Sequence, residues 1–146
     1  MVNLQAIYAF QIDCSGLASN TIKELILARD EMPTITHIYL NSNELDNLSH
    51  FQLMNVSSVR AAEIRQNRLR TFEVAELEPF TELRKLDLES NEISQIQSGQ
   101  KANVLEVLNL AKNKIESIGR DTFGGFDNLR VLDLRWKGLN LLYLFF

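Results

Sequence analysis

With a single cysteine, Cys14, the chain can form no internal disulfide and build no cysteine-based zinc site. It has two histidines, His37 and His50, and neither sits among companion ligands at metal-binding spacing. Basic charge is not in surplus: 15 Lys and Arg stand against 19 Asp and Glu, a net charge of −4. That gives no reason to expect nucleic acid, whose backbone needs clustered cations. The opening "MVNLQAIYAFQ" lacks the basic flank and continuous apolar run of a secretory signal. No stretch reaches the roughly 18 apolar residues of a membrane-spanning helix, so the apolar ending "NLLYLFF" (140–146) is too short for an anchor. Neither a nucleophile elbow nor a phosphate-cradling glycine loop occurs. The pair Gly124–Gly125 reads as a turn. No catalytic residue, metal or cofactor is therefore expected. The remainder is ordinary: 45% hydrophobic and 23% charged residues over 146 positions suit one folded domain with a real core.

What is present is repetition. "ITHIYLNSNEL" (35–45), "VRAAEIRQNRL" (59–69), "LRKLDLESNEI" (83–93), "LEVLNLAKNKI" (105–115) and "LRVLDLRWKGL" (129–139) follow one template. It runs apolar-x-x-apolar-x-apolar-x-x-Asn-x-apolar, broken only by Lys137 at the last asparagine position. The units begin at 35, 59, 83, 105 and 129, steps of 24, 24, 22 and 24 residues. Three residues beyond each unit stands another apolar residue: Leu48, Phe72, Ile96, Ile118 and Leu142. Six and three residues before the next unit come Leu53 and Val56, Leu77 and Phe80, then Phe123 and Phe126. The shortened unit carries the small Gly99 and Ala102 there, as a tighter return path requires.

The template has a direct physical meaning. Apolar-x-apolar alternation is a short strand with one buried face. A constant period brings each new strand beside the last, in parallel, and successive turns cover each other's apolar faces. Each buried leucine or phenylalanine contributes about 1.5–3 kcal/mol toward the ordering cost of a long irregular return. Asn43, Asn67, Asn91 and Asn113 fall where the chain turns inward and leaves backbone groups unpaired. An asparagine amide both donates and accepts, so it can bond its own turn and the adjacent one. An asparagine ladder is expected at that corner.

These residues resemble leucine-rich repeat proteins over about residues 32–142. The period and "IESIGRDTFGGFDNLRVLDL" (115–134) are similar to the typical repeats of extracellular members such as Toll-type receptors and adhesion molecules. Intracellular relatives more often use shorter repeats. The resemblance implies an α/β repeat solenoid: a curved parallel sheet on the concave face, irregular or short helical returns on the convex face, and a ligand-binding role.

The ends fit less well. Residues 1–31 read as a cap-like segment or a degenerate first repeat, and 32–146 as five repeats with the last incomplete. "IDCSGLASNTIKEL" (12–25) registers with Asn20 as corner residue and Ile12, Leu17, Ile22 and Leu25 inward, at the cost of Ser15 in a core slot. A short capped helix from Ser19 or Asn20 is the other reading. "IDCSG" resembles the last strand of the cysteine-rich cap of extracellular members. Cys14 is then either a small buried hydrophobe or half of a disulfide whose partner lies outside the chain. At the other end no cap is visible. Lys137 cannot accept a hydrogen bond, and Leu144, Phe145 and Phe146 have no turn beneath them. Truncation is preferred over a docking surface, with an exposed apolar edge prone to self-association.

Outward-pointing strand residues should line the concave face in columns. The middle column is Tyr39, Glu63, Asp87, Asn109 and Asp133. Beside it run Asn41, Arg65, Glu89, Ala111 and Arg135 on one hand, and His37, Ala61, Lys85, Val107 and Val131 on the other. Ser42, Gln66, Ser90, Lys112 and Trp136 stand next to the corner. Both charge signs with scattered aromatics suit a protein partner. Arg65, Asp87, Glu89 and Arg135 are expected as central contacts. The acidic column is either a structural habit of that slot or a site for a basic ligand. Tyr39 is a candidate aromatic anchor; Trp136 is another, or else a shield over the open end. Asn47-Leu48-Ser49 and Asn55-Val56-Ser57 are glycosylation sequons on the return side.

The expectation is a protein-binding module, not an enzyme, in an extracellular or cell-surface receptor or adhesion protein. The alternative is a cytoplasmic scaffold or regulatory subunit bound to an enzyme such as a phosphatase.

Overall fold

A computed structural model describes residues 10–16, 35–49, 51, 56–99 and 104–135. The expectations for Asn20, His50, Leu53, Asn55, Ala102, Trp136, Lys137 and the apolar ending lie outside those residues.

Eight strands are described: β1 (Phe10–Asp13), β2 (Ile35–Tyr39), β3 (Ala61–Glu63), β4 (Thr71–Glu73), β5 (Lys85–Asp87), β6 (Gln95–Gln97), β7 (Val107–Asn109) and β8 (Val131–Asp133). Six of them form one parallel sheet in the order β1-β2-β3-β5-β7-β8. β4 and β6 form a second, two-stranded parallel sheet on the return side. Each repeat thus places its strand next to that of the preceding repeat, as a solenoid requires. A 3-10 helix at Val74–Leu77 follows β4 and is closed by reciprocal bonds between Glu73 and Glu76.

The apolar template positions form the core. Ile38, Ala62, Leu86 and Leu108 stack on one level, Leu40, Ile64, Leu88, Leu110 and Leu134 on the next, and Leu45, Leu69, Ile93 and Ile115 beyond the corner. On the return side Leu48 and Phe72 are buried, and Phe72 lies opposite Ile96 in the small sheet. Leu129 and Leu132 of the fifth rung are only partly buried against this core. Two core residues stand outside the repeat columns. Phe51 packs its ring on Phe80 at 5.2 Å between centroids, and Val74 lies under the shortened return. That return passes so near that a methyl group on Gly99 would sit 2.9 Å from the backbone nitrogen of Ala75.

The corner is held as the asparagine column suggests. Asn91 donates to the Ile64 and Leu88 carbonyls at 2.9 and 3.0 Å and accepts from the Leu69 amide at 3.2 Å. Asn67 and Asn113 repeat this pattern, accepting from Leu45 and Ile93, each at 3.0 Å. Every asparagine therefore ties its own turn to the one before. The residue ahead of each one, Ser42, Gln66, Ser90 or Lys112, is in the left-handed region with φ of 55 to 59°. That bend costs of order 1–2 kcal/mol per non-glycine residue, and the hydrogen bonds of the asparagine corner hold it in place.

The β1 rung, ahead of the five repeats, is in a different register from the one that makes Asn20 its corner. β1 pairs Ile12 with Ile38 and Asp13 with Tyr39, and the Cys14 amide donates to the Tyr39 carbonyl. Cys14 therefore occupies the level of Leu40 and is buried. Ser15 is exposed, outside the core slot expected for it, and its hydroxyl accepts from the Asn41 amide. The apolar matches of "IDCSG" are too few to fix a register, whereas the backbone pairing is decided by where β2 leaves open donors and acceptors. Asn43 extends the ladder down to this rung by donating to the Cys14 carbonyl at 3.0 Å.

Candidate functional site

Strand geometry sends alternate side chains out of the core, and the register stacks them as the repeat period implies. Tyr39, Glu63, Asp87, Asn109 and Asp133 are successive partners across the sheet, as are His37, Ala61, Lys85, Val107 and Val131. Val131 is the large apolar side chain most open to solvent among the described residues.

The middle column has a backbone task. Asp87 Oδ1 accepts the Glu89 amide at 3.0 Å, Asn109 Oδ1 the Ala111 amide at 2.9 Å, and Asp133 Oδ1 the Arg135 amide at 3.0 Å. A short side chain with an oxygen at its tip is what this local bond needs. Glu63 is too long for it, and the Arg65 amide turns instead to Asn41 Oδ1 at 2.8 Å. The structural explanation for the acidic slot is thus visible in three rungs.

Asp87 differs from the expectation that it contacts a ligand: it is buried. Arg65 lies over it, with Nη2 at 2.9 Å from Asp87 Oδ2 and 3.5 Å from Glu63 Oε2. The Asn109 amide closes the other side at 3.1 Å. Burial works against the Arg65 charge, but Asp87, Glu63 and Glu89 together hold its guanidinium above its ordinary pKa. Lys112 Nζ lies 2.6 Å from Glu89 Oε1, and its hydrogen bond holds the Glu89 carboxyl below the usual range. Arg135 bonds both oxygens of Asp133 and lowers that carboxyl too. Lys85 stands 3.8 Å from Glu63. Ala111 is buried, and Tyr39 and His37 are half-buried.

Two edges flank this face with ion pairs between rungs. Arg68 pairs with Glu44 and Lys114 with Glu92 past the corner, while Arg60 pairs with Glu82 and Arg84 with Glu106 before the strands. Only the repeat period could have revealed these, by bringing residues 22 or 24 apart side by side. On the return side the Asn47 side chain donates to Asp46 and accepts the Ser49 amide at 3.0 Å, together with the Ser49 hydroxyl. Among the described residues, no group of three or more His, Cys, Asp and Glu gathers where it could hold a metal ion. Among the same residues, no helix is long and apolar enough to cross a membrane.

Comparison with known proteins agrees with this architecture. The leucine rich repeat family matches residues 33–93 and 81–139. Keratocan of Danio rerio is 34% identical over 105 residues, which cover 70% of this chain and 30% of that protein. Keratocan of Mus musculus is 30% identical over 107 residues, 72% of this chain and 30% of its own length. The human leucine-rich repeats and immunoglobulin-like domains protein 1 is 28% identical over 117 residues, 78% of this chain and 10% of that protein. The chain thus spans about 30% of the length of the keratocans it matches. In fold it is similar to the crystal structure of the APL1 leucine-rich repeat domain, with a TM-score of 0.61 and 21% identity. That likeness covers 69% of this chain and 26% of the other. Strand order, asparagine ladder and family match lead to one conclusion: the chain belongs to the leucine-rich repeat family.

Proposed function

We propose that the chain is a protein-binding module that takes a protein ligand on the outward face of its six-stranded sheet and performs no catalysis. The observation that carries this is the contrast between layers. Beneath the face every described rung from β2 on repeats the same apolar pattern; on it, Tyr39, Glu63, Asp87, Asn109 and Asp133 and their neighbours change chemistry from rung to rung. A shared framework under a varied surface is how repeat proteins build extended recognition faces. The setting is extracellular or at the cell surface. Repeats of 24 residues, like those of extracellular members of the family, support this.

The test presents the full chain to an array of purified extracellular proteins, alongside two variants. Binding should be lost in the double variant Lys85→Glu with Arg135→Glu and kept in Arg68→Glu, which alters an edge. Binding indifferent to the double variant contradicts the reading. For the setting, protein from native tissue should carry a glycan on Asn47. Recovery of the chain from a cytosolic fraction would contradict it and favour the regulatory-scaffold alternative.

A further inference from the structure

The outward face is balanced in formal charge, with Glu63, Asp87, Glu89 and Asp133 against Arg65, Lys85, Lys112 and Arg135. The two signs do not stand at the same height. In each pair the cation is the open member and the carboxylate the covered one. Side-chain exposure is 39% for Arg65 over 4% for Asp87, and 47% for Lys85 over 20% for Glu63. It is 62% for Lys112 over 24% for Glu89, and 88% for Arg135 over 20% for Asp133. The flanking edges are mixed: Arg68 and Glu44 are exposed at 61% and 62% and Arg60 and Glu82 at 62% and 50%, while Arg84 at 62% stands over Glu106 at 29%. Side-chain length and the backbone task of the middle column account for this. Asp87 and Asp133 are short and turned down onto amides, while the cations reach over them.

A partner approaching the face therefore meets one outward cation in each of the second to fifth rungs: Arg65, Lys85, Lys112 and Arg135. We infer that this face recognises an acidic segment of a protein, whose carboxylates engage these four cations. The inference rests on the concave-face reading above and names its ligand chemistry. The floor of carboxylates orients the cations and is not itself the contact layer. A dense polyanion such as a sulfated polysaccharide fits less well. Val107, paired beside Lys85, and Val131 next to it suit apolar side chains interspersed among the carboxylates of a protein segment.

The test selects short random peptides on the immobilised full chain at moderate salt, with heparin fragments as competitor. Selected peptides should be enriched roughly twofold or more in Asp and Glu, with apolar residues between them. Lys85→Glu with Lys112→Glu should weaken the best of them about tenfold or more while circular dichroism melting is kept, and added salt should weaken them too. Arg68→Glu should leave binding unchanged. Selected sequences that are neutral or basic, or no selected binders, would overturn the inference. So would displacement of the peptides by heparin, in favour of a polysaccharide. Neutral binders that still lose affinity in the double variant would remove the acid preference and leave the concave-face reading standing. Acid-rich binders indifferent to the double variant would sink both.

Discussion

The asparagine corner and the outward face lie a few residues apart in every rung, yet they are built on opposite plans. At the corner the same side chain recurs in four rungs, buried, and Asn67, Asn91 and Asn113 each donate to a carbonyl of the preceding turn and accept an amide from it. On the face no column keeps one residue, and polar groups are paired at the surface in combinations that change from rung to rung. The difference teaches where each part gets its constraint. A buried corner must satisfy backbone groups that have no other partner. The face need only pair its charges and remain open.

Substitutions should separate the two. Asn91→Ala strands the Ile64 and Leu88 carbonyls and the Leu69 amide, and is expected to destabilise the fold by about 3–5 kcal/mol. Urea unfolding measures this, and a loss comparable to that of a surface change would break the contrast. Arg65→Met removes the cation over a buried carboxylate, leaving Asp87 with Asn109 and the Glu89 amide. It should cost about 1–3 kcal/mol, because Arg65 is a face residue whose charge also serves a buried carboxylate. Lys85→Gln touches only a long pair whose cation is exposed, so its unfolding free energy should change by about 0.5 kcal/mol or less.

The smallest effect is in pH. Glu89 and Asp133 have native pKa values below the ordinary range, held there by Lys112 and Arg135. Their contribution is complete above the unfolded carboxylate pKa and fades as pH falls through the lower native values. Glu76, on the return side, is shifted the other way: burial raises it, although it accepts the Leu48 and Glu73 amides. The native state then binds its proton more tightly, so Glu76 adds stability as pH falls from its raised value toward the ordinary one. Urea midpoints followed against pH should therefore rise slightly before falling on acidification. Glu76→Gln should remove the rise and keep the fall; an unchanged rise would place its origin elsewhere.

The framework was legible in the sequence because a period makes each position testable five times over. Leu40, Ile64, Leu88, Leu110 and Leu134 support one another's assignment, and the corner asparagines do the same. Single instances were not legible. Cys14 sits level with Leu40 because of backbone pairing that the few apolar residues around it could not specify. Phe51 and Val74 fill the core from outside the columns. On the face the columns were correct but the heights were not. Asp87 stood in a surface column, and only the reach of Arg65 across the rung and the pull of the Glu89 amide put it below the surface. The left-handed Ser42, Gln66, Ser90 and Lys112 carried no glycine to announce them.

The central claim is that recognition belongs to the outward face and folding to the layer beneath. The most direct test is amide chemical-shift mapping of the full chain with a protein ligand obtained from the array. Shifts concentrated in residues 61–66, 85–90, 107–112 and 131–135, the strands of the face, are the predicted result. Shifts confined to the return segments around 72–80 and 115–126, with the strands silent, would contradict it.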